Sequence, residues 1–462
     1  MTSYVQDAVN AIYVVAVIVF ILGLRAMSGP ATARRGIVYA GLAMLIAVVV
    51  TFFTPSLSNL FLIVIGVAIG CLAGWYWARV VKMTAMPQMV AVFNGMGGGA
   101  AAAIAAVTML AGLANRTTAG LSFAGAVIGS ISIAGSMIAF GKLQGLLPSK
   151  PIVLPARQFV NTGVLVVGLG IGVWALWQIS VIWLLPFYVL LLLYGILLTL
   201  PIGGADMPVV ISLTNAMTGI AVALDGFALV NGPFGDAGYG MVIAGVLVGS
   251  AGSLLTVLMA RAMNRSISNV FFGAFGAVEE TGAAVQGALK PMEASDVAAM
   301  LAYANTVVIA PGYGLAVAQA QGKVKELADL LEQKGITVKF AIHPVAGRMP
   351  GHMNVLLAEA GVSYDKLFDR DEINNEFPTT DVVLVIGAND VVNPAAHRQG
   401  SPLYGMPILD VESAKNVIVL KRGAGKGFAG IENDLFYRDN CHMLYGDAKD
   451  SLTKLVQEVK KL

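Results

Sequence analysis

Charged residues are scarce in this chain of 462 residues: Asp, Glu, Lys and Arg make up 12% of it, against about 25% in a typical soluble domain. Cysteine occurs only at Cys71 and Cys441, far apart, which excludes a disulfide scaffold and a cysteine metal cluster. Histidine is missing before His343. Apolar residues are abundant, at 57%, and the mean hydropathy is +0.77. A single soluble domain and a disordered chain are therefore excluded.

The sequence divides into two parts of different character. Residues 1–290 carry 12 Lys and Arg against 6 Asp and Glu, a formal charge of +6. Residues 291–462 carry 17 against 21, a formal charge of −4. We interpret residues 1–262 as a transmembrane domain, 263–300 as a linker and 301–462 as a second, extramembrane domain.

The first part contains enough apolar sequence for nine membrane-spanning helices, each of which needs about 20 residues. The apolar stretches are 5–24, 36–53, 59–78, 87–113, 118–141, 159–177, 180–200, 207–230 and 238–260. The sixth and seventh are hard to separate around 178–180, which leaves eight spans as an alternative. Four-residue spacing of small residues, as in Gly125 and Gly129, predicts close helix packing. Three adjacent glycines at 97–99 predict a break in the fourth span, because each weakens a helix by about 1 kcal/mol.

The basic residues predict the orientation of these spans. With nine spans and a cytoplasmic C-terminal part, the N-terminus lies outside and Arg116 is the only basic residue in an outer connection. The inner connections hold ten: Arg25, Arg34, Arg35, Arg79, Lys82, Lys142, Lys150, Arg157, Arg261 and Arg265. This asymmetry follows the positive-inside rule and favours nine spans over eight. We expect the first span to be retained, because Asp7 and the lack of preceding basic residues do not fit a signal peptide.

Few polar side chains lie within the spans, and such groups tend to be functional. The main ones are Asn94, Asn215 and Asp225, together with hydroxyl groups such as that of Ser250; Asp206 sits at the inner end of a span. Ordinary interhelical hydrogen bonding is the alternative for the Asn and Ser residues. Asp206 could instead be a solvated carboxylate or a helix N-cap, and Asp225 could lie near the outer surface without a role.

The second part alternates apolar β-branched runs with helical sequence, which predicts parallel βαβ units and a doubly wound sheet. Residues 306–310, 336–342, 381–386 and 416–420 are predicted as strands, and 315–334 as a helix. The overall prediction is therefore a nine-helix membrane domain followed by an α/β Rossmann-like domain.

A glycine-containing turn joins the first strand to this helix. Gly312, Tyr313 and Gly314 are followed by Ala316 and Val317, where Val317 occupies the third small position of a dinucleotide fingerprint. Glycines there let the backbone approach a pyrophosphate. The strand–turn–helix context supports this weak pattern.

Two features favour NADP over NAD. The second predicted strand ends at His343 and lacks the carboxylate that usually binds the ribose 2′-hydroxyl of NAD. Lys421 and Arg422 follow a later strand and lead into a glycine-rich loop that could bind a phosphate. A solvated basic turn is the equally open alternative for that pair. No hydrolase triad or metal-ligand spacing is visible, and hydride transfer needs neither.

Long loops of this chain closely resemble the β subunit of the proton-translocating NAD(P) transhydrogenases. The resembling runs are 310–321, 342–359, 385–396, 421–430 and 446–449, together with 203–209 in the membrane part. The resemblance covers essentially the whole chain. It implies that NADP(H) binds here and NAD(H) on a partner α subunit, and that direct hydride transfer between them, usually forming NADPH, is coupled to proton translocation.

The resemblance also implies roles for individual residues. The implied NADP-binding residues are Gly312, Tyr313, Gly314, Ala316, Val317, Gly347, Arg348, Asn389, Asp390, Lys421, Arg422, Gly427, Phe428, Ala429, Gly446 and Asp447. Lys421 and Arg422 would bind the 2′-phosphate, and 427–430 would form a lid. No catalytic side chain and no metal are expected. The implied assembly is a dimer of α–β units in a bacterial inner membrane, in contact with lipid and without nucleic acid.

Two positions depart from the family pattern. Asn94 stands where well-known members have a histidine, so the proton carrier is in question, and Phe428 stands where an aromatic residue with a hydroxyl is common. We hypothesise a proton path through Asn94, Asn215, Ser250 and Asp206. The rival function is a channel or secondary transporter regulated by a cytoplasmic nucleotide-sensing Rossmann domain.

Overall fold

The computed structural model describes the chain except for residues 1, 28–29, 54–58, 112–115, 149–150, 179–180, 204–205, 231–234, 264–287, 350, 400, 402, 424–426 and 428–430. The described chain separates into two compact units. One comprises Met1–Pro201 with Val210–Leu254, and the other comprises Ile202–Val209 with Leu255–Leu462.

The described part of the chain contains nine helices that are long and apolar enough to cross a membrane, as predicted. They are α1 (Thr2–Met27), α2 (Pro30–Thr51), α3 (Leu60–Val80), α4 (Met86–Ala111), α5 (Arg116–Gln144), α6 (Arg157–Gln178), α7 (Val181–Thr199), α8 (Met207–Val230) and α9 (Gly235–Ala262). The sixth and seventh spans are separate helices, which removes the eight-span alternative.

The predicted break in the fourth span is wrong, because α4 is continuous through its three glycines. Gly98 and Gly99 instead allow close approach to α5, and Gly97 faces Thr218 on α8. A Cβ on Gly98 would lie 3.1 Å from Gly129 O, and a Cβ on Gly129 would lie 2.7 Å from Gly98 O. Tight packing against α5 therefore offsets the weak helix propensity of the glycines.

The second unit contains a six-stranded parallel sheet with the strand order β3-β2-β1-β4-β5-β6. The strands are β1 (Thr306–Pro311), β2 (Thr337–Ile342), β3 (Leu367–Asp369), β4 (Val382–Ile386), β5 (Asn416–Lys421) and β6 (Cys441–Tyr445). The four predicted strands are present. The short edge strands β3 and β6 were not predicted, because neither forms a long β-branched run.

Helices flank these strands: α10 (Ala294–Ala302), α11 (Tyr313–Val317), α12 (Gln321–Gln333), α13 (His352–Glu359), α14 (Arg370–Ile373) and α15 (Ala448–Lys461). The single predicted helix over 315–334 is two helices, and Gln319 between them has a φ of +51°. On α12 the buried residues recur at helical spacing, at Val324, Leu327, Ala328 and Leu331, which gives one apolar face for the core.

The end of the predicted linker belongs to the sheet unit. Met292 N donates to Met443 O at 2.9 Å, and Met443 N donates to Lys290 O at 2.8 Å, so this segment pairs with β6. Helix α10 follows directly. Residues 264–287 of the predicted linker lie outside the described residues.

Candidate nucleotide-binding site

From β1 the sheet is extended in one direction by β2 and β3 and in the opposite direction by β4, β5 and β6. Open α/β sheets bind ligands in the crevice at such a switch point, which here lies between β1 and β4. All six strands are parallel, so the loops that follow them emerge at one edge. The predicted cofactor residues that the structure describes lie at the end of β5 or in the segments that follow β1, β2, β4, β5 and β6. The fold therefore brings these separate sequence motifs to the same edge of the sheet.

The loops after β1 and β4 are packed backbone to backbone. Gly312 N donates to Ile386 O at 2.8 Å, and Gly314 N donates to Gly387 O at 2.9 Å. Gly387 has a φ of +66°, and a Cβ there would lie 2.5 Å from Gly314 Cα. The glycines of the fingerprint thus serve the contact between two loops as well as the approach to a ligand. Ala316 is buried on α11, and Val317 is exposed.

The loop after β2 contacts the loop after β1 through Arg348. The Arg348 guanidinium lies 4.5 Å from the centre of the Tyr313 ring. The backbone N–H of Arg348 donates to His352 Nδ1 at 3.0 Å. Gly347 has a φ of +123° and packs against His352, so a side chain there would clash. These contacts hold the Arg348 side chain over an aromatic ring at the mouth of the crevice.

Burial and charge affect the titratable groups around Arg348. Burial raises the pKa of Tyr313, which the charge of Arg348 opposes. Burial lowers the pKa of His352, and the charge of Arg348 lowers it further. His352 is only 2% exposed, and its Nε2 has no hydrogen-bond partner among the described residues. The backbone N–H of Arg348 thus occupies Nδ1 of this ring, and Nε2 contacts no polar partner in the described part of the chain.

The loop after β4 is fixed by an asparagine from a distant part of the chain. Asn433 Nδ2 donates to both the backbone O and the side-chain Oδ1 of Asn389, each at 3.0 Å. Asn433 Oδ1 in turn accepts from Leu435 N at 3.0 Å. The adjacent Asp390 carboxylate packs against Gly427, where a Cβ would clash with it.

Lys421 ends β5 beside this carboxylate. Its ammonium lies 4.4 Å from the centre of the Phe436 ring. Burial lowers the pKa of Lys421, and the negative charge of Asp390 opposes that shift. Arg422 is exposed. The lid residues Phe428 and Ala429 lie outside the described residues.

Asp447 has a structural role that its prediction as a cofactor ligand did not include. Its Oδ1 accepts from Lys449 N at 2.9 Å, which caps the N-terminus of α15. Gly446 precedes it with a φ of +152° and donates its N–H to Lys421 O at 3.0 Å. The loop after β6 is thereby attached to the end of β5.

The predicted proton-path residues lie in different surroundings. Asn94 Nδ2 donates to Ser136 Oγ at 2.8 Å in a buried contact between α4 and α5. Asn215 is half-buried on α8. Ser250 is exposed within this chain and donates to Val246 O at 2.6 Å in its own helix. Asp206 is buried, in the unit that contains the sheet.

Sequence reasoning missed Asn433, Phe436 and His352 as parts of the site. Asn433 and Phe436 follow no strand directly and act on loops about 40 and 15 residues earlier in the sequence, so spacing offered no signal. His352 was visible within a loop singled out for its glycines, but its contact with the Arg348 backbone required the fold. Among the described residues, no group of His, Cys, Asp and Glu is arranged to hold a metal.

The fold and this edge of the sheet define a class: a Rossmann-like domain of the dinucleotide-binding type, carried by a multi-pass membrane protein. A family profile described as "NAD(P) transhydrogenase beta subunit" matches residues 9–458. Two curated sequences from Rhodospirillum rubrum, one from a specified strain, are named "NAD(P) transhydrogenase subunit beta". Each is 46% identical to this chain over 465 aligned residues, covering 97% of this chain and 98% of the relative. The chain belongs to the NAD(P) transhydrogenase β-subunit family.

Proposed function

We propose that this chain is the NADP(H)-binding subunit of a proton-pumping transhydrogenase. Its family membership implies an α-subunit partner and a reaction of nicotinamide nucleotides. In the proposed assembly, the partner holds NAD(H) and two α–β units form a dimer. The family membership also favours this function over a channel or transporter with a nucleotide-sensing domain.

The residues of the crevice fit the dinucleotide. Gly312 and Gly314 would face the pyrophosphate, and Arg348, Asn389 and Asp390 would lie around it. When bound, NADP(H) supplies or accepts the hydride, so the protein needs no catalytic side chain. The residues of this chain bind and orient the nucleotide and exclude water from it.

The observation that best supports NADP over NAD is the setting of Lys421. Its stem is half-buried and its ammonium is held by an aromatic face beside a carboxylate, with Arg422 next in sequence. A partly desolvated ammonium gains more from a phosphate than a fully hydrated one does. The 2′-phosphate is the group that distinguishes the two nucleotides.

In the membrane, we propose that the chain spans a bacterial inner membrane nine times, surrounded by lipid. The N-terminus would lie outside, and the nucleotide domain, residues 301–462, would lie in the cytoplasm. Proton flow inward would drive NADPH formation. Asn94, Asn215 and Asp206 remain proposed members of the proton path, and Ser250 would need a partner helix to cover it.

The first test is binding of NADPH and NADH to the full chain in detergent, measured by calorimetry. We expect the wild type to prefer NADPH, and the Lys421→Ala/Arg422→Ala variant to bind NADPH roughly a hundredfold more weakly, because two charge-assisted hydrogen bonds are lost. Lys415→Ala is the matched control. Lys415 pairs with Asp381 at 2.7 Å before β5 begins, at the opposite end of the strand.

NADH binding as tight as NADPH binding in the wild type would contradict the 2′-phosphate assignment. Turnover is tested separately in vesicles that contain the chain with or without its α subunit. We expect hydride transfer from NADH to NADP⁺, with movement of protons, only when both subunits are present. Turnover by the chain alone would contradict the division of nucleotides between the subunits.

A further inference from the structure

One carboxylate lies inside the membrane unit in an unusual setting. Asp225 is on α8 five residues before the helix ends, so it lies about 7.5 Å from that end. Besides Asp7 in α1 and Asp236 at the start of α9, it is the only Asp or Glu in the sequences of the nine long apolar helices. It is 1% exposed, so it is not a solvated carboxylate on the surface of this chain.

The Asp225 side chain packs directly against the backbone of α5. A Cβ on Gly125 would clash with both the Oδ1 and the Cγ of Asp225, so the glycine makes room for the carboxyl group. Neither carboxylate oxygen has a hydrogen-bond partner among the described residues. The space that Gly125 leaves is therefore filled by a carboxyl group to which no described residue makes a hydrogen bond.

In the part of the chain that the structure describes, the neighbouring helices supply no counter-charge to Asp225. Among the described residues, Tyr188 on α7 is the titratable group that interacts with it electrostatically, and the Tyr188 hydroxyl donates to Ala102 O on α4 at 2.9 Å. Helix α4 contains no ionisable residue at all. On the other side, Gly226 packs against Val242 and the backbone of α9. An ionised carboxylate in these surroundings would be unpaired and would cost several kcal/mol.

Buried hydrogen-bonding groups continue along α5 and α8 from Asp225. Ser132 lies seven residues, about 10 Å, from Gly125 along α5. Its hydroxyl bonds Thr214 O at 2.8 Å and Thr218 Oγ1 at 2.6 Å, and Thr218 lies seven residues before Asp225 on α8. One turn further along α5 is the Asn94–Ser136 contact. Ser122 and Ser130, also buried on α5, have hydroxyls without partners among the described residues.

We propose that Asp225 is a proton-binding group of the membrane unit and exchanges its proton with water during translocation. The inference rests on the proposed transhydrogenase function. While the surrounding helices keep water away from Asp225, its carboxyl group is neutral, with the proton on one oxygen. When water reaches it, the O–H bond breaks and the proton passes to water, and a proton from the other side later restores the acid; no electrons move. The line of Ser132, Thr218 and Asn94 groups leads inward from this site.

The first experiment detects the bound proton itself and does not depend on turnover. Infrared spectra of the full chain in lipid at neutral pH should contain the carbonyl stretch of a protonated carboxylic acid. We expect this band to disappear in Asp225→Asn and to persist in the control Asp7→Asn, whose side chain is exposed. Persistence of the band in Asp225→Asn, or its absence from the wild type, would overturn the proposal.

The second experiment measures proton uptake with a pH-sensitive dye in vesicles that contain the assembled α–β complex. We expect Asp225→Asn to slow proton-coupled turnover roughly a hundredfold, the scale of a lost proton-transfer group. NADPH affinity should be unchanged, and Asp225→Glu should restore part of the rate because it keeps a carboxyl group. The amide of Asp225→Asn has the size of the acid, so the variant should fold; equal thermal stability and gel-filtration profiles check this.

The outcomes separate the two proposals. If the wild type pumps protons and Asp225→Asn pumps equally fast, Asp225 is not part of the path and the proposed function stands. If the wild-type complex transfers hydride without moving protons, the proposed function fails, and with it the translocation role of Asp225. The infrared result then still decides whether the site binds a proton.

Discussion

At the scale of single residues, buried polar side chains hold the loops of the candidate site through hydrogen bonds to the backbone. Asn433 is 1% exposed and bonds the turn at Asn389. Asn393, also fully buried, donates to Glu432 O at 3.0 Å and accepts from Ala395 N at 3.0 Å. A buried donor left without its partner costs about 1–3 kcal/mol, so these residues keep the loops in one conformation.

His343, directly after β2, is another buried side chain that holds a loop through hydrogen bonds to the backbone. Its protonation is therefore coupled to the stability of the fold. Its Nδ1 accepts from Val345 N at 3.3 Å, so Nε2 carries the proton that it donates to Pro407 O at 2.7 Å. Burial lowers the pKa of His343 from 6.5 to about 4, and the bond to Pro407 opposes this only in part. The ring is neutral in the folded chain at neutral pH.

We expect acid to destabilise the sheet unit through His343. Between pH 6.5 and 4 the unfolded chain binds a proton that the folded chain does not, so stability falls by up to about 3 kcal/mol as the pH drops through this interval. His343→Gln keeps a donor but does not titrate, so its stability should fall less. Thermal unfolding in detergent, followed by near-ultraviolet circular dichroism at several pH values, measures both. Parallel pH dependence in the two proteins would contradict the assignment.

At the scale of elements, the contact between the β1 and β4 loops positions the site. The carbonyl groups of Ile386 and Gly387 accept hydrogen bonds from the N–H groups of Gly312 and Gly314, so the two loops behave as one unit. This contact depends on the left-handed conformation of Gly387 and on the absence of a side chain at each glycine. The strands supply the edge, and the glycines decide how closely the loops meet.

Gly387→Ala tests this contact against a matched control. Gly335 also has a positive φ, of +84°, but a Cβ there would meet nothing within 4 Å. Both substitutions should cost about 1–2 kcal/mol of backbone strain. Only Gly387→Ala should also force the loops apart, and we expect it to weaken NADPH binding to the full chain more than tenfold by calorimetry. Equal NADPH affinity in the two variants would show that the loop contact does not shape the site.

At the scale of the whole molecule, burial is distributed differently in the two units. The five residues of β4 are all buried in the sheet unit. In the membrane unit, α3 has no buried residue and exposes Phe61, Leu62 and Leu72, each more than 60%. Apolar side chains that would be unfavourable in water are stable in lipid, so such a helix is typical of the bilayer-facing side of a membrane protein.

The nine spans give a definite prediction for the arrangement across the membrane. Alkaline phosphatase, which is active only outside the cytoplasm, should be active when fused after Ser56 or Ala114 and inactive after Lys82 or Leu147. The reason is the concentration of basic residues in alternate connections. Enzyme activity in whole cells, normalised to the amount of fusion protein, provides the measurement. The opposite pattern would place the nucleotide domain outside.

Much of this organisation was predictable because its physical signals are local. Apolar length predicts a membrane span, β-branched runs such as 381–386 predict buried strands, and Gly312 between strand and helix predicts a ligand turn. Where the signal was weak the prediction failed. Strand β3 has only three residues, and the glycines at 97–99 predict a break, whereas α4 continues through them and Gly98 and Gly99 pack against α5. A glycine has the same low helix propensity whether or not another helix packs against it. The neighbouring helix therefore decides whether the helix continues.

The sequence by itself determined the nine spans, the parallel βα alternation and the family, because hydropathy, periodicity and long motifs are properties of consecutive residues. The tertiary structure alone decided which distant groups meet. It placed Asn433 on the turn at Asn389, and it turned Ser250 outward. It also enclosed the Asp225 carboxyl group against Gly125, one hundred residues earlier in the chain. Burial and hydrogen bonding depend on all the helices packed around a residue, and no stretch of sequence contains that information.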